Sequence, residues 1–362
     1  METSPQGPSA DARFEIDGIP INLAYLAEGA ANVVYRISPG QSGHPLRPPL
    51  SDSVLRLRKD TRFSVPYSDT VHFFHNNVTG LFPPESLVHL KLWPITDAQV
   101  ITSLNDELRK REREGTRPAK RSGVFLTSGE LNAILVTDMT ANGPHEKFTE
   151  FKPKWLLQSP SAPRGAKRCR TCALKVMQRS KGEGGGRGEG EFCPLDLVSK
   201  DEGVARCAAR RIDSSTDFQD IFLESVQPLL EKLRRLQKSH GKVGLGDFEQ
   251  LQDSIDAVSV LDGPDLPARI RDMAMAMTLR DCSFFVRYRP GSGAALGEVR
   301  LADLDAKLVS RQNLQKWANV ERQLIQGGWY EGTEDHWESN GRHYCRALGD
   351  EGWEEEKDPA PN

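Results

Sequence analysis

Three carboxylates in the segment from residue 277 to residue 307 combine residue type and spacing in a way that could do chemistry. Asp281 stands in one apolar run, and Asp303 and Asp305 precede Lys307 in a second run beyond a glycine-rich turn. This pattern predicts a β-hairpin or two adjacent strands. A carboxylate beside an apolar segment is costly to desolvate unless a cation or a metal meets it. The segment therefore indicates a metal or phosphate site, and exposed turn aspartates are the alternative interpretation.

A lysine pair forms a second candidate site. Lys152 and Lys154 flank Pro153 and follow Glu150. Proline favours an extended conformation in the residue before it, so we expect the two lysine side chains to point the same way. Two ammonium groups beside a carboxylate suit polyphosphate chemistry, although a charged, solvated strand would have the same sequence.

A turn of small residues, Gly29 to Asn32, precedes an apolar, β-branched run. Small residues let backbone N–H groups approach a phosphate closely, but no Gly-Lys-Ser/Thr follows, so this is not a Walker motif. An ordinary hairpin is the alternative. Arg56, in the apolar run that comes next, stands where protein kinases have the strand lysine that holds nucleotide phosphates.

The elements that must position these groups follow from periodicity. Apolar spacing predicts helices over Thr96–Arg113 and Asp217–Lys238, and a further helix after Lys307. The strand Ala133–Val136 ends in a polar linker at residues 137–138, which is typical of a hinge between lobes.

Composition narrows the class of function. The 362 residues carry a formal net charge of −3 and contain no apolar run near the ~20 residues of a membrane span. A mildly acidic chain is not a nucleic-acid binder driven by bulk charge, and its clustered lysines and arginines suit a small, highly anionic ligand. The polar N-terminus does not read as a secretory signal, and the six scattered cysteines are expected to be reduced thiols. We expect a protein of the nucleus or cytoplasm.

Seven short motifs, taken in order from about residue 25 to residue 312, resemble the inositol-pentakisphosphate 2-kinase family. They are Gly29-Ala30-Ala31-Asn32-Val33-Val34, Val54-Leu55-Arg56, Glu150-Phe151-Lys152-Pro153-Lys154, Cys169-Arg170-Thr171-Cys172, Pro194-Leu195-Asp196-Leu197, Arg280-Asp281-Cys282-Ser283 and Asp303-Leu304-Asp305-Ala306-Lys307. The resemblance implies transfer of the ATP γ-phosphoryl group to the 2-hydroxyl of inositol 1,3,4,5,6-pentakisphosphate, giving inositol hexakisphosphate (phytate). It also implies ATP and Mg²⁺ as cofactors. We expect a monomer that does not bind membranes and does not take nucleic acid as its primary ligand.

The fold implied by the resemblance is α+β, a two-lobed protein-kinase-like or inositol polyphosphate kinase fold with helical insertions. The expected organisation is a disordered tail over 1–13, a nucleotide-binding lobe over 14–140, an inositol phosphate-binding lobe over 141–330 and a polar, acidic tail over 331–362. A mobile glycine-rich loop is expected over 180–191 within the second lobe.

The resemblance also implies a role for each matching residue. Asp281 resembles the group that orients or deprotonates the attacking hydroxyl, and Asp303 resembles the Mg²⁺ ligand, with Asp305 beside it. The expected nucleotide-binding residues are Gly29, Ala30, Ala31, Asn32, Val34, Arg56, Thr137 and Asp138. The expected substrate-binding residues are Arg121, Lys152, Lys154, Arg170, Lys307 and Arg311.

The chain departs from the family pattern in several places. Ala30 stands where a second glycine is often found, Phe151 replaces an isoleucine, and Gln315 replaces a tyrosine that contacts substrate in some members. Some members also hold a structural zinc. The spacing of Cys169-x-x-Cys172 supplies only half of a zinc site, with Cys193, Cys207 or a histidine as unplaced partners, so zinc is not supported by ligand spacing. Buried free thiols are the alternative.

Two other functions fit the same residues. The chain could be a kinase that acts on another substrate, although a protein kinase would have His-Arg-Asp where Leu279-Arg280-Asp281 stands. It could also be an inositol phosphate-binding or scaffold protein without catalysis, although both acidic positions are present.

Overall fold

The computed structural model describes most of the chain, in ten ranges. They are residues 12–16, 19–40, 45–61, 65–95, 98–182, 192–240, 243–255, 268–291, 297–333 and 344–348. The chain divides into two compact units at the peptide bond between Asp138 and Met139. Both units mix antiparallel sheet with helices, so the α+β class is confirmed.

The first unit is built on a six-stranded antiparallel sheet. Its strands are β1 (Ala12–Ile16), β2 (Ile19–Glu28), β3 (Asn32–Pro39), β4 (Ser53–Arg58), β5 (Leu90–Pro94) and β6 (Asn132–Thr137). The spatial order is β1-β2-β3-β4-β6-β5, and every neighbouring pair is antiparallel. The strand predicted at Ala133–Val136 is therefore confirmed as the centre of β6.

One face of this sheet is covered by a long helix. Helix α1 spans Tyr67–Phe73 and helix α2 spans Ala98–Arg113. Ile101, Leu104 and Leu108 of α2 are buried against sheet residues such as Tyr35 and Leu57. These are the apolar positions that a period of 3.6 residues places on one helix face, so the prediction of this helix is confirmed.

The second unit contains a three-stranded antiparallel sheet, β7 (Lys147–Phe151), β8 (Ser283–Tyr288) and β9 (Glu298–Ala302), in that order. The predicted pairing of the two strands around the glycine-rich turn is confirmed by the antiparallel register of β8 and β9. The helices of this unit are α3 (Arg170–Ser180), α4 (Pro194–Leu197), α5 (Glu202–Ile212), α6 (Thr216–Ile221), α7 (Gln227–Ser239), α8 (Leu245–Ser254), α9 (Ala268–Leu279) and α10 (Arg311–Gln326).

The helix predicted over Asp217–Lys238 is present as α6 and α7 joined by a π-helical turn at Phe222–Val226. A π turn inserts one residue into the helical register and re-aims the side chains that follow. Here it leaves Phe222 buried beside Phe151, with 6.4 Å between the ring centroids. Phe151 in turn stacks on Phe284 at 5.3 Å, which fixes the end of β7.

Several sequence expectations fall outside the described residues. These are most of the glycine-rich loop at 180–191, the N-terminal tail and much of the segment after 331, with Trp337 and Trp353. Tyr344 is described, and the Lys167 ammonium group lies 5.0 Å from its ring centroid. Within the described ranges, no helix is long and apolar enough to cross a membrane.

A buried ion cluster lies at the end of β2, where the chain turns toward β3. The Glu28 carboxylate accepts hydrogen bonds from Arg117 Nε at 2.8 Å, from Arg117 Nη2 at 2.9 Å and from Lys59 Nζ, and none of the three side chains is exposed. Burial alone would raise the pKa of Glu28, but the hydrogen bonds from Arg117 and Lys59 lower it below its ordinary value. Glu28 is therefore the buried anion that both cations share, and Arg117 pairs in addition with the partly exposed Glu112.

We expect Glu28→Gln to lower the free energy of unfolding by about 3–5 kcal/mol, because it removes the buried charge that Lys59 and Arg117 share and leaves Arg117 with the partly exposed Glu112. Denaturant unfolding of the full chain measures this. Asp106→Asn is the matched control, since it removes a carboxylate from the exposed pair of Asp106 with Arg109 and is expected to cost less than about 1 kcal/mol. If Glu28→Gln and Asp106→Asn lower the free energy of unfolding equally, Glu28 is not the stabilising centre of a buried ion cluster.

Candidate active site

Two backbone conformations mark the candidate site. Lys154 has φ +61° and Asp303 has φ +54°, and they are the only non-glycine residues with positive φ in the described ranges. A left-handed conformation costs a residue with a side chain about 1–3 kcal/mol and persists only where its surroundings impose it. Both residues were selected from the sequence as ligands, so the strain coincides with the predicted chemistry.

The segment after β7 turns sharply, because β7 ends at Phe151 and Lys154 is left-handed. The two lysine side chains nevertheless point the same way, as expected, since the Nζ atoms of Lys152 and Lys154 lie 3.8 Å and 2.7 Å from Asp281 Oδ1. The buried Gln237 imposes this turn, because its Nε2 donates to the carbonyl oxygens of Lys154 at 2.9 Å and of Leu279 at 3.0 Å. Sequence reasoning missed Gln237, since a glutamine within an amphipathic helix carries no local signal.

Asp281 lies at the centre of a cluster of lysines, in the turn between α9 and β8. Its Oδ1 accepts from Lys154 Nζ at 2.7 Å, and its Oδ2 lies 2.9 Å from Lys307 Nζ. Lys152 Nζ lies 3.8 Å from Oδ1 and donates to the Asp281 backbone carbonyl at 3.0 Å. Lys152 and Lys154, which follow β7, thus meet Lys307, which follows β9, at one carboxylate.

Asp303 shares one of these lysines. Lys152 Nζ donates to Asp303 Oδ2 while it contacts Asp281, so both carboxylates lie around one ammonium group. Thr278 at the end of α9 fixes the following loop, because its hydroxyl donates to the Asp305 carbonyl at 3.1 Å and accepts from the Lys307 N–H at 3.2 Å. The structure therefore brings together Lys152, Asp281, Asp303 and Lys307 from three segments.

The charges in this cluster determine its protonation state. Burial of Asp281 would raise its pKa, but the ammonium groups of Lys307 and Lys154 hold that pKa well below its ordinary value. Burial would likewise lower the pKa of Lys307, whereas Asp303 and Asp281 raise it above its ordinary value. The carboxylate is therefore ionised and the lysine protonated throughout the physiological pH range.

An aromatic platform supports the lysine loop. Trp155 follows Lys154 and is buried between two guanidinium groups, with Arg280 3.7 Å and Arg170 4.4 Å from its ring centroid. Arg170 Nε also donates to the buried Glu321 carboxylate at 2.7 Å. The structure thus places the predicted substrate ligand Arg170 under the loop, in contact with Trp155 and Glu321. Its role toward substrate stays a prediction.

The predicted nucleotide-binding residues lie in the first unit. Residues 29–31 form the turn between β2 and β3, and Asn32 begins β3. Lys59 anchors the turn, since its Nζ donates to the Gly29 carbonyl at 2.9 Å and its N–H donates to the Ala31 carbonyl at 2.8 Å. Lys59 was not selected from the sequence, because its burial depends on the strand pairing of β3 and β4.

Arg56 pairs in register with Val34 of β3 and Ile134 of β6 and is almost fully buried. Val34 and Arg56 therefore share the sheet face opposite to the one that packs against α2. The guanidinium group of Arg56 lies 5.4 Å from the Tyr67 ring centroid.

The remaining predicted residues occupy three places. Thr137 ends β6, where its hydroxyl accepts from the His89 N–H at 2.8 Å, and Asp138 follows it. Arg121 ends a short 3₁₀ turn in the first unit, and its Nε is buried with no hydrogen-bond partner in the part of the chain that is described. Arg311 is exposed at the first position of α10.

Comparison with known proteins agrees with the motifs. The family model described as inositol-pentakisphosphate 2-kinase matches residues 25–217 and 213–323. The chain is also 33% identical over 190 residues to the inositol-pentakisphosphate 2-kinase of Yarrowia lipolytica. That alignment covers 51% of this chain and 55% of the relative, so it spans about half the length of that protein.

The family match takes in the small-residue turn at Gly29, the lysine pair around Pro153 and both acidic segments. Because it runs with little interruption over most of the sequence, the chain belongs to the inositol-pentakisphosphate 2-kinase family.

Proposed function

We propose that this chain transfers the γ-phosphoryl group of ATP to the 2-hydroxyl of inositol 1,3,4,5,6-pentakisphosphate and so forms inositol hexakisphosphate. The observation that carries the proposal is the convergence of Lys152, Lys154 and Lys307 on the single carboxylate of Asp281. Membership of the inositol-pentakisphosphate 2-kinase family supports this proposal, and the name of the Yarrowia lipolytica relative states the same activity.

The charge balance of the cluster suits a polyanionic substrate. Three ammonium groups surround Asp281, and the side chains involved are one quarter to two fifths exposed, so phosphate groups can reach them. Phosphates of the substrate would compete with Asp281 and Asp303 for the same lysines. Substrate binding therefore exchanges internal ion pairs for charge-assisted bonds to phosphate and frees the Asp281 carboxylate.

Freed of its lysines, Asp281 accepts a hydrogen bond from the attacking hydroxyl and orients it. A carboxylate with a low pKa is a weak proton acceptor, so positioning is its main contribution. Phosphoryl transfer asks the protein chiefly to position groups and compensate charge. Lys152 and Lys307 would remain on the substrate phosphates while negative charge moves from ATP to the inositol ring.

The nucleotide-binding residues that we propose all lie in the first unit: Gly29, Ala30, Ala31, Asn32, Val34, Arg56, Thr137 and Asp138. The anchored turn before Asn32 presents small residues, and the cation at Arg56 lies on the same sheet face as Val34. Asp303 and Asp305 are the carboxylates that would hold Mg²⁺. Their hard oxygen ligands fit that ion, and Asp303 already faces a cation in the form of Lys152. Bound Mg²⁺ would neutralise charge on the transferring phosphates.

We also propose a protein-kinase-like fold for the chain. In the first unit this is supported by the antiparallel sheet, its small-residue turn and the buried cation of Arg56. In the second unit it is supported by Asp281 and Asp303, which lie at the same end of the antiparallel β8–β9 pair.

The two alternatives make different predictions. A kinase for another substrate would keep the nucleotide side but would not need three lysines at Asp281. A binding protein without catalysis would keep the lysines but would have no need of the left-handed strain at Asp303, which aims a carboxylate into the cluster. A γ-phosphate transfer assay with inositol pentakisphosphate separates the three. Turnover supports the proposal, tight binding without turnover supports the binding protein, and turnover on other substrates alone supports the other kinase.

We expect Asp281→Ala and Asp303→Ala each to lower kcat by about 10²–10⁴-fold, because each removes a group that acts on the reacting atoms or on their metal. The measurement is turnover of inositol pentakisphosphate, with circular dichroism as the check that the fold is intact. Asp220→Asn is the matched control, since this carboxylate pairs with Arg206 at the surface of the second unit. Normal turnover in either Ala variant would refute the assigned roles.

Lys154→Ala and Arg56→Ala should separate the two substrates. We expect Lys154→Ala to raise the KM for inositol pentakisphosphate about tenfold or more with a smaller change for ATP, and Arg56→Ala to do the reverse. Steady-state kinetics with each substrate varied in turn tests this. If Lys154→Ala weakens both substrates equally, Lys154 is not a specific ligand of the inositol phosphate.

The lowered pKa of Asp281 predicts a pH dependence of stability. A carboxyl group whose pKa is lowered on folding stabilises the fold above its unfolded pKa of about 3.9, and that contribution is lost as the pH falls toward the folded value. We expect Asp281→Asn to lower the melting temperature of the ligand-free protein by a constant amount from pH 8 to pH 5. The difference should shrink below about pH 4. If the difference in melting temperature between the wild type and Asp281→Asn grows as the pH falls, the ionised Asp281 carboxylate does not stabilise the fold through its lysine partners.

A further inference from the structure

The amide of Gln237 is buried in the second unit with both of its N–H donors and its oxygen in use. Gln237 lies near the end of α7 and is 2% exposed. Its Nε2 donates to the carbonyl oxygens of Lys154 at 2.9 Å and of Leu279 at 3.0 Å. Its Oε1 accepts from the Leu156 N–H at 2.9 Å. All three partners are backbone groups, so the contact depends on the amide and not on a neighbouring side chain.

These partners lie in the two segments that carry the chemistry of the site. Lys154 and Leu156 belong to the lysine loop, residues 152–156, which follows β7. Leu279 ends α9, two residues before Asp281 in the aspartate turn, residues 280–282. One buried side chain therefore joins the backbone of the lysine loop to the backbone that leads into the aspartate turn.

The ion pair between these segments is less secure than the amide. Lys154 Nζ donates to Asp281 Oδ1 at 2.7 Å, but the two side chains are 39% and 41% exposed. Water screens such a pair, and the phosphates of a polyanion would compete with the carboxylate for the ammonium group. The bonds of Gln237 are buried and do not compete with a ligand. They hold the left-handed Lys154 backbone when the ion pair opens.

We propose that Gln237 is a positioning residue for phosphoryl transfer, because its amide fixes the Lys154 backbone relative to Asp281 and so aims the lysine at a substrate phosphate. This inference rests on the proposed function, which supplies that phosphate. Gln237 acts through Lys154 and is not itself a catalytic residue. A misplacement of about 1 Å in a catalytic constellation can lower the rate about 100-fold, so a contact of this kind is expected to affect turnover.

Gln237→Glu converts the requirement for an amide into a pH dependence. The variant keeps the length of the side chain and an acceptor for the Leu156 N–H. Its ionised form places a second oxygen against the carbonyl oxygens of Lys154 and Leu279, whereas its protonated form donates to one of them. Burial raises the pKa of such a carboxyl group. The lysine loop should therefore be displaced at high pH and nearly correct at low pH.

The same helix supplies a matched control. Gln227 begins α7, ten residues before Gln237 or about 15 Å along the helix axis. Its Nε2 also donates to two backbone carbonyl oxygens, those of Leu197 at 3.5 Å and of Ser199 at 2.9 Å. Gln227→Glu thus makes the same chemical change away from the lysine loop.

Other charged side chains on the joined elements are common to the variant, the control and the wild type. Those on α9 are exposed. Those that are at least partly buried in the lysine loop, between residues 233 and 240 and in the aspartate turn are Lys152, Lys154, Arg234, His240, Arg280 and Asp281. Their titration, like that of the ligand phosphates, cancels when each variant is expressed relative to the wild type at the same pH.

The experiment measures kcat with inositol pentakisphosphate and, by calorimetry, the affinity for inositol hexakisphosphate between pH 5.5 and pH 8.5. Relative to the wild type, we expect both quantities in Gln237→Glu to fall about tenfold or more over this range. Gln227→Glu should follow the wild-type profile. A glutamine with only a structural role would lower the melting temperature without changing this ratio. A ratio that is constant with pH would therefore overturn the proposal.

A measurement without ligand separates this proposal from the proposed function. Asp281→Asn removes the partner of Lys154, so its effect on the melting temperature reports whether the two side chains meet. At pH 8 we expect that effect to be about half as large in the Gln237→Glu background as in the wild type, because Lys154 is displaced there. Equal effects in the two backgrounds would overturn the positioning role. Lack of turnover by the wild type would instead contradict the proposed function alone.

A second substitution covers a loss of folding. Gln237→Asn keeps the amide on a side chain one carbon shorter, which cannot reach both carbonyl oxygens. We expect it to lower kcat and affinity about tenfold at every pH, with circular dichroism as the check of folding. Wild-type kcat and affinity in this variant would refute the proposal. If neither variant folds, Gln237 is a determinant of stability and the positioning role is wrong.

Discussion

The second unit depends on one electrostatic constraint: the positive charges of the three lysines around Asp281 must be compensated by negative charge. Lys152, Lys154 and Lys307 could not be held together in a partly buried cluster without an anion among them. The carboxylates of Asp281 and Asp303 supply that anion in the ligand-free protein. A substrate that carries five phosphates would supply it in their place. The same arrangement stabilises the cluster without substrate and would favour the polyanionic substrate that we propose.

The backbone around this cluster is held where it would not stay by itself. Lys154 and Asp303 are left-handed, and the buried hydrogen bonds of Gln237 and the stacking of Arg280 on Trp155 keep the lysine loop in place. Strain of this kind persists because the aromatic core beneath it is packed. The site is therefore preorganised by contacts that lie outside it, which is what phosphoryl transfer requires of a protein.

Much of the regular structure was predictable from local pattern. The helix Ala98–Arg113, strand β6 and the antiparallel pair β8–β9 follow from periods of 3.6 and 2 residues and from turn composition. The π turn at Phe222–Val226 was not predictable, because it depends on the tertiary packing of Phe222 against Phe151. The left-handed turn at Lys154 was not predictable either, since the tertiary hydrogen bond from Gln237 to its carbonyl imposes it.

By itself the sequence determined which residue types carry the chemistry: the acidic motifs at Asp281 and Asp303, the lysines around Pro153, and the family to which the chain belongs. Those are properties of short segments, in which spacing and side-chain chemistry are local. Only the tertiary structure decided which groups meet. It placed Lys307 on Asp281, buried Lys59 under Gly29 and brought Cys345 to Cys169. Contacts between residues distant in the chain depend on how the strands and helices pack, and no local pattern encodes that packing.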